Sequence, residues 1–198
     1  MTEQRESLPQ GRSKNTFYLL ILVFTSPFLT AVTLHLLDLR PSGKSYGNLV
    51  QPPKSLQIPT INNLQGQAFK AVQWNKIWSV VMVDSTNCAA PCQAQVHMLK
   101  QVHTSLNKEF KRVQRVLLVP TDAEATTLAA LHKQYPDLII LTGVDAETVK
   151  FTQTIQQTAG SVYLVDPMGN LMMSYPEKFD PKGLRSDLTR LLKNSWAG

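Results

Sequence analysis

Hydrophobic positions along the chain fall into one long block followed by a series of short ones. The long block is Phe17–Leu37, a nearly pure apolar run of 21 residues, and no charged side chain occurs between Asn15 and Leu37. At about 1.5 Å per residue, a helix of that length matches the roughly 30 Å hydrocarbon core of a bilayer. Pro27 falls mid-span, where it kinks a helix and is better tolerated in lipid than in water. A cleaved signal peptide is the competing reading. Its apolar stretch is shorter, however, and no small-x-small cleavage site follows this run. The pattern predicts a leader over 1–16 and a retained signal anchor over 17–37. Arg5, Arg12 and Lys14 precede the span and Arg40, Lys44 and Lys54 follow it, so the basic count gives no direction. A short leader ahead of an N-terminal anchor usually stays in the cytoplasm. That places the remainder on the periplasmic, non-cytoplasmic side of the membrane.

Residues 38–66 break any long periodicity with Pro41, Gly43, Gly47, Pro52, Pro53 and Pro59, and are expected to form an extended, mobile tether. The folded unit is expected over 67–198, enough for one core. Within it strands and helices alternate. Trp78–Asp84 is a short apolar run of the kind buried on both faces of a sheet, and Val113–Val119 and Leu138–Thr142 are two more. Between the first two, Val96, Leu99, His103, Leu106 and Phe110 recur at helical spacing. Thr121 and Glu124 form a capping box ahead of a helix marked by Leu128, Leu131 and Tyr135, which Pro136 stops. Val144, Thr148, Phe151 and Ile155 mark a weaker helix. Ser161–Asp166 and Asn170–Tyr175 read as a hairpin closed by a tight turn at Pro167–Gly169. Asp180 is an N-cap with Pro181 at the first helical position, and Leu184, Leu188, Leu191 and Leu192 form that helix's buried stripe. The order β-α-β-α-β-α-β-β-α predicts an α/β fold: a central mixed sheet flanked by helices, preceded by a single transmembrane helix. Doubly wound dinucleotide folds do not end in a hairpin and helix, and no G-x-G-x-x-G occurs here. A thioredoxin-like sheet does end that way.

Composition narrows the chemistry. Two cysteines exclude a disulfide-dense scaffold and a four-cysteine zinc site. Twenty basic against 14 acidic residues give a net charge of +6, but the positive residues are scattered. Their one compact cluster, Lys108, Lys111, Arg112 and Arg115, reads as a solvated helix end, so no nucleic-acid partner is expected. The reactive candidates are Cys88 and Cys92 in S-T-N-C-A-A-P-C-Q, where a buried strand gives way to a long helix. Unpaired N–H groups and the positive end of the helix dipole stabilise a thiolate at such a junction. Cys88, in the loop, is expected to be the exposed attacking sulfur, and Cys92, in the first helical turn, the resolving partner or second ligand. Two soft thiolates one loop apart also suit Cu(I). The alternative is a structural disulfide that reacts with nothing.

Three segments resemble one family. T-N-C-A-A-P-C (Thr86–Cys92), Y-P-D-L-I-I-L-T-G (Tyr135–Gly143) and V-Y-L-V-D-P-M-G-N (Val162–Asn170) are similar, in order and spacing, to motifs of the Sco/SenC family. These are membrane-anchored thioredoxin-fold proteins that help mature the Cu-A centre of cytochrome c oxidase. The similarity covers most of residues 67–192, and the single N-terminal anchor fits it. The resemblance implies Cys88 and Cys92 as the redox and metal pair, Cu(I) as the ion handled and an oxidase subunit as the client. This chain departs from the family at two places. Gln93 follows the second cysteine where the family usually has proline. The family's copper-ligand histidine falls in a stretch that here reads Q-Q-T-A-G-S (Gln156–Ser161), with Thr158 near its position.

No other residue replaces that ligand on the sequence alone. His97 lies five residues after Cys92, roughly 140° around a helix. His103 falls on an apolar stripe, His132 reads as solvent-facing and His35 is inside the anchor. Met168, Met172 and Met173 lie in the hairpin expected to approach the dithiol, and core filling is their default role. Asp84 and Asp122 read as loop residues at strand ends. Two functions remain: an assembly factor with possible thiol–disulfide oxidoreductase activity through Cys88 and Cys92, or a non-catalytic thioredoxin-like binding module with a structural bridge.

Overall fold

A computed structural model describes residues 13–36, 45–85, 88–120, 125–156 and 161–195. Two compact units result, residues 1–43 and 44–198. In the first, helix α1 spans Ser13–Leu36 with Pro27 inside it. Its segment Lys14–Leu34 has a mean hydropathy of 2.0, long and apolar enough to cross a membrane. The hydroxyls of Thr25, Thr30 and Thr33 donate to the carbonyls of Ile21, Ser26 and Leu29 at 2.7–2.8 Å, which satisfies these polar groups within the helix itself.

The second unit is built on one sheet. In chain order its elements are β1 (Asn48–Ser55), β2 (Ile61–Asn63), β3 (Ala68–Phe69), α2 (Ala71–Trp74), β4 (Trp78–Val83), α3 (Ala90–Thr104), a 3-10 turn (Asn107–Arg112) and β5 (Val113–Val119). Next come α4 (Ala125–Gln134), β6 (Leu138–Thr142), α5 (Ala146–Gln156), β7 (Val162–Val165), β8 (Asn170–Tyr175) and α6 (Pro181–Asn194). The strand order is β1-β8-β7-β4-β5-β6-β2-β3. Strands β4, β5 and β6 run parallel, and every other pairing is antiparallel. This is the mixed, helix-flanked sheet that the alternation of patterns predicts.

Both faces of the sheet are buried, as the continuous apolar runs require. Val80, Met82, Leu117 and Val119 pack with the inner faces of α3, α4 and α6. Val81, Val83, Val116 and Leu118 pack on the opposite side with Trp74 of α2 and with Phe151 and Ile155 of α5. Helix α6 begins as expected: the Asp180 carboxylate accepts the N–H groups of Lys182 (3.0 Å) and Gly183 (3.1 Å), and Pro181 opens the first turn.

Four expectations differ from the structure. The segment read as a tether over 38–66 contains two paired strands. β1 lies against β8 and β2 against β6, so the head begins near residue 45 rather than 67. Pro52 and Pro53 fit there because β1 is an edge strand, where lost donors are tolerated, and its register breaks between Leu49 and Lys54. Helix α3 stops at Thr104, and Phe110 is an exposed residue of the 3-10 turn instead of a member of the helix's buried face. Val144 likewise stands exposed ahead of α5. Finally, the basic cluster is not one solvated patch. Lys108 and Lys111 are exposed, but Arg112 binds Glu109 and the carbonyls of Leu192 and Ser195, and Arg115 is buried in β5. The Thr121–Glu124 capping box lies outside the described residues.

Candidate functional site

The apolar run of β4 ends at Val83, and the ladder continues one bond further, from the Asp84 N–H to the Leu118 carbonyl at 3.1 Å. The chain then turns from the sheet into α3, whose N-cap, Ala89, offers no side-chain oxygen. Cys88 and Cys92 flank this entry and are joined in a disulfide, their Cα atoms 4.9 Å apart. Three intervening residues suffice because the loop, and not straight helix, spans part of the distance.

Cys88 has a positive φ of 46°, a left-handed conformation uncommon for a residue with a Cβ. Side chains hold both of its backbone groups. The Asp84 carboxylate accepts the Cys88 N–H at 2.9 Å, and the Gln93 amide donates to the Cys88 carbonyl at 3.0 Å. Neither contact was anticipated from sequence. Asp84 read as a surface-loop residue and Gln93 only as a departure from proline. The available signal was a carboxylate four residues before a turn cysteine, the spacing of a local side-chain-to-backbone bond.

The exposure expected of Cys88 is absent. Cys88 is 0% exposed and Cys92 5%, and both belong to the apolar cluster beneath α3, α4 and α6. A disulfide packs as a small apolar group, and Phe179, Leu184 and Met173 belong to the same cluster. The Gln95 amide, one turn past Cys92, donates to the Glu177 carbonyl at 2.8 Å and fastens the chain after β8 across α3. Ala89, Ala90 and Pro91 are exposed beside the bridge.

Met173 shares the apolar cluster of the bridge and Met172 packs against that cluster, whereas the described histidines and Met168 are engaged or placed elsewhere. The ring of His97 contacts the Tyr135 hydroxyl at 3.0 Å. His103 donates from Nε2 to the carbonyls of Val113 (2.7 Å) and Phe110 (2.9 Å), which makes it a boundary residue, as expected. His132, expected to face solvent, is half-buried, with Nδ1 enclosed and without a partner among the described residues. Met168 is not near the dithiol. The β4–β7 register sets Met82 against Val162 and Ser79 against Val165, so the Asp166–Asn170 turn lies at the end of the sheet opposite Cys88. Met173 is buried, with the Tyr175 hydroxyl 3.7 Å from its sulfur. Among the described residues, no three His, Cys, Asp or Glu side chains form a group able to hold a metal. Asp122, Thr158 and the side chain of His35 lie outside the described residues.

Comparison with known proteins agrees on the architecture. The model of the family described as transmembrane-like, thioredoxin-like, C-terminal domain matches residues 78–195. BsSco, a member of the Sco family of cytochrome c oxidase assembly proteins in which a disulfide switch was identified, superposes with a TM-score of 0.60. The two are 15% identical, over 75% of this chain and 99% of BsSco. Apo Sco1 of Thermus thermophilus gives a TM-score of 0.59 at 19% identity, over 78% of this chain and 98% of its own. Copper-bound ScoI of Bradyrhizobium japonicum gives 0.54 at 18% identity, over 70% and 96%. No curated protein sequence matches the chain. At these identities the solved structures establish the fold, which is thioredoxin-like.

Proposed function

The chain belongs to the family of transmembrane-like, thioredoxin-like C-terminal domains, and from that membership we propose that it is a membrane-tethered thiol–disulfide exchange protein acting through Cys88 and Cys92 on an oxidase subunit during assembly. The carrying observation is the bridge itself, closed where β4 ends and α3 begins. In the reducing direction, the Cys88 thiolate attacks a client disulfide and releases one client sulfur as a thiolate. Cys92 then attacks Cys88 in the mixed disulfide, which frees the second client sulfur and closes the bridge. Two electrons pass to the client, and its two sulfurs take up the two protons. Cys88 is assigned the attack because it lies ahead of α3, outside the helix, whereas Cys92 sits in the helix's first turn. The small ring supports exchange over stapling: closing about five residues contributes only about 2 kcal/mol by chain entropy. A single anchor raises the local concentration of head and membrane-bound client, and the head is assigned to the periplasmic side.

Burial of both sulfurs favours a second reading, a structural bridge in a binding module. Equilibration in glutathione buffers separates the two. An exchange pair is reduced within the range of those buffers, whereas a structural bridge resists them. Copper is a weaker fit. The two cysteine sulfurs share their apolar cluster with the Met173 thioether, but each described histidine ring is engaged or placed elsewhere. No copper step is therefore derived. Anaerobic Cu(I) titration of the reduced chain and of Cys88→Ser tests that branch, and tight one-to-one binding lost in the variant would restore it.

A further inference from the structure

Cys88 is held at both of its peptide groups by side chains from two different elements. Asp84 is tied to the sheet through its own N–H on Leu118, and its carboxylate takes the Cys88 N–H at 2.9 Å. Gln93 belongs to α3, and its amide reaches back to the Cys88 carbonyl at 3.0 Å. Between these contacts the backbone of Cys88 stays at a φ of 46°. A residue with a Cβ leaves that region unless its surroundings hold it there.

The disulfide also holds Cys88 while it exists. On reduction that covalent restraint disappears, whereas the hydrogen bonds from Asp84 and Gln93 do not depend on it. We propose that Asp84 and Gln93 are positioning residues that keep the reduced Cys88 in its ring-closing conformation, and so set the equilibrium between dithiol and disulfide. The inference rests on the exchange reading for its biological meaning.

The relevant equilibrium is balanced with glutathione. The two S–H groups of Cys88 and Cys92 and one glutathione disulfide become the protein bridge and two glutathione thiols. A clamp that pre-orders the dithiol raises the effective concentration of one sulfur at the other. The test measures this constant for the full chain in detergent micelles, with Gln93→Glu, Asp84→Ala and Asp84→Asn. Gln93 is exposed, so its substitution by an isosteric acid removes the donor without disturbing the core. Gln93→Glu and Asp84→Ala should each lower the closure constant about tenfold, which is a rise of about 30 mV in the two-electron potential. Asp84→Asn keeps an acceptor oxygen and should stay within about twofold of wild type.

Closure constants unchanged in both Gln93→Glu and Asp84→Ala would overturn the clamp, even if the variants unfold more easily in both redox forms. A wild-type bridge that no glutathione buffer reduces would instead sink the exchange reading. The clamp would then be measured in dithiothreitol buffers, with the same expected differences among the variants.

Discussion

The Tyr175 hydroxyl donates to the buried Asp187 carboxylate at 3.0 Å, joining the last strand of the sheet to the last helix. The same carboxylate accepts the backbone N–H groups of Tyr46 (2.9 Å) and Gly47 (3.0 Å), and Arg190 pairs with its other oxygen at 2.7 Å. One side chain of α6 thus holds the point where the chain enters the head. Asp187→Ala strands these donors in an apolar setting and should cost about 3 kcal/mol. Tyr175→Phe removes one neutral donor and should cost about 1–2 kcal/mol. Denaturant titration of the full chain in micelles measures both.

Tyr175 also predicts an alkaline limit. Burial, then the Asp187 charge and hydrogen bond, push its pKa well above the ordinary tyrosine range. The native state therefore keeps this proton while the unfolded chain ionises near pH 10, and stability falls as pH rises past about 10. Tyr175→Phe should flatten that part of the stability curve. An unchanged slope would show that the hydroxyl is not proton-linked to folding.

Gly47 and Gly183 both stand where a side chain would meet a tyrosine. A Cβ on Gly47 would meet the buried Tyr175 ring at 2.6 Å, and one on Gly183 would meet the Tyr46 ring at the same distance. The Tyr46 ring is 60% exposed, but its Cβ also lies 2.7 Å from that position and moves only with a backbone that Asp187 holds. Gly47→Ala and Gly183→Ala should therefore each cost about 2–3 kcal/mol by overpacking, the second offset by up to about 1 kcal/mol of helix propensity. A Gly183→Ala chain as stable as wild type in denaturant titration would show that the Tyr46 backbone yields.

Arg115 and Asp137 form the other ion pair that matters for stability. Arg115, 1% exposed, brings Nη2 to 2.9 Å from Asp137 outside hydrogen-bonding angles, and its Nε and Nη1 find no partner among the described residues. Lys100 also binds Asp137 at 2.9 Å. Burial pushes the Asp137 pKa up, but the Lys100 hydrogen bond, the Arg115 charge and contact, and the Lys100 charge outweigh it and leave the pKa at about 2. This contribution is present above about pH 4 and is lost as pH falls through about 2. His103, 3.7 Å from the same carboxylate, has its pKa lowered by burial first and by the Arg115 charge to a lesser degree, against opposing hydrogen bonds. Its share is lost as pH falls below about 6.5. Asp137→Asn should cost about 2 kcal/mol, less than a fully enclosed pair because water reaches the carboxylate. Adding Arg115→Met should recover most of that loss.

The assigned topology is open to a direct measurement. A phosphatase that folds only outside the cytoplasm, fused after Asn194, should be active. Activity only from a cytoplasmic reporter at the same junction would reverse the orientation of α1.

Most of the sheet was legible because its strands are buried on both faces. Trp78–Val83, Val113–Val119, Leu138–Thr142 and Asn170–Tyr175 appear almost residue for residue where apolar runs stand between turn residues. β1 and β2 were not legible, because an edge strand carrying Pro52 and Pro53 alternates poorly and owes its pairing to β8, more than 110 residues away in sequence. Arg115 was misplaced for a related reason: its neighbours Lys111 and Arg112 suggested a surface, whereas the strand's alternation turns it inward. The cysteine pair was legible from its junction, but its burial was not. That burial belongs to a cluster that Phe179, α3, α4 and α6 complete only in the folded sheet.

Asn48 stands opposite Ser174, and Val162 stands opposite both Tyr175 and Met82, so the polypeptide joins the head at the rim that also bears the sulfur bridge. The Asp187 carboxylate, which holds the backbone of Tyr46 and Gly47 ahead of that strand, therefore works at the same rim as the disulfide. Loosening that carboxylate's hold should reach the cluster around the cysteines through Tyr175, which belongs to it.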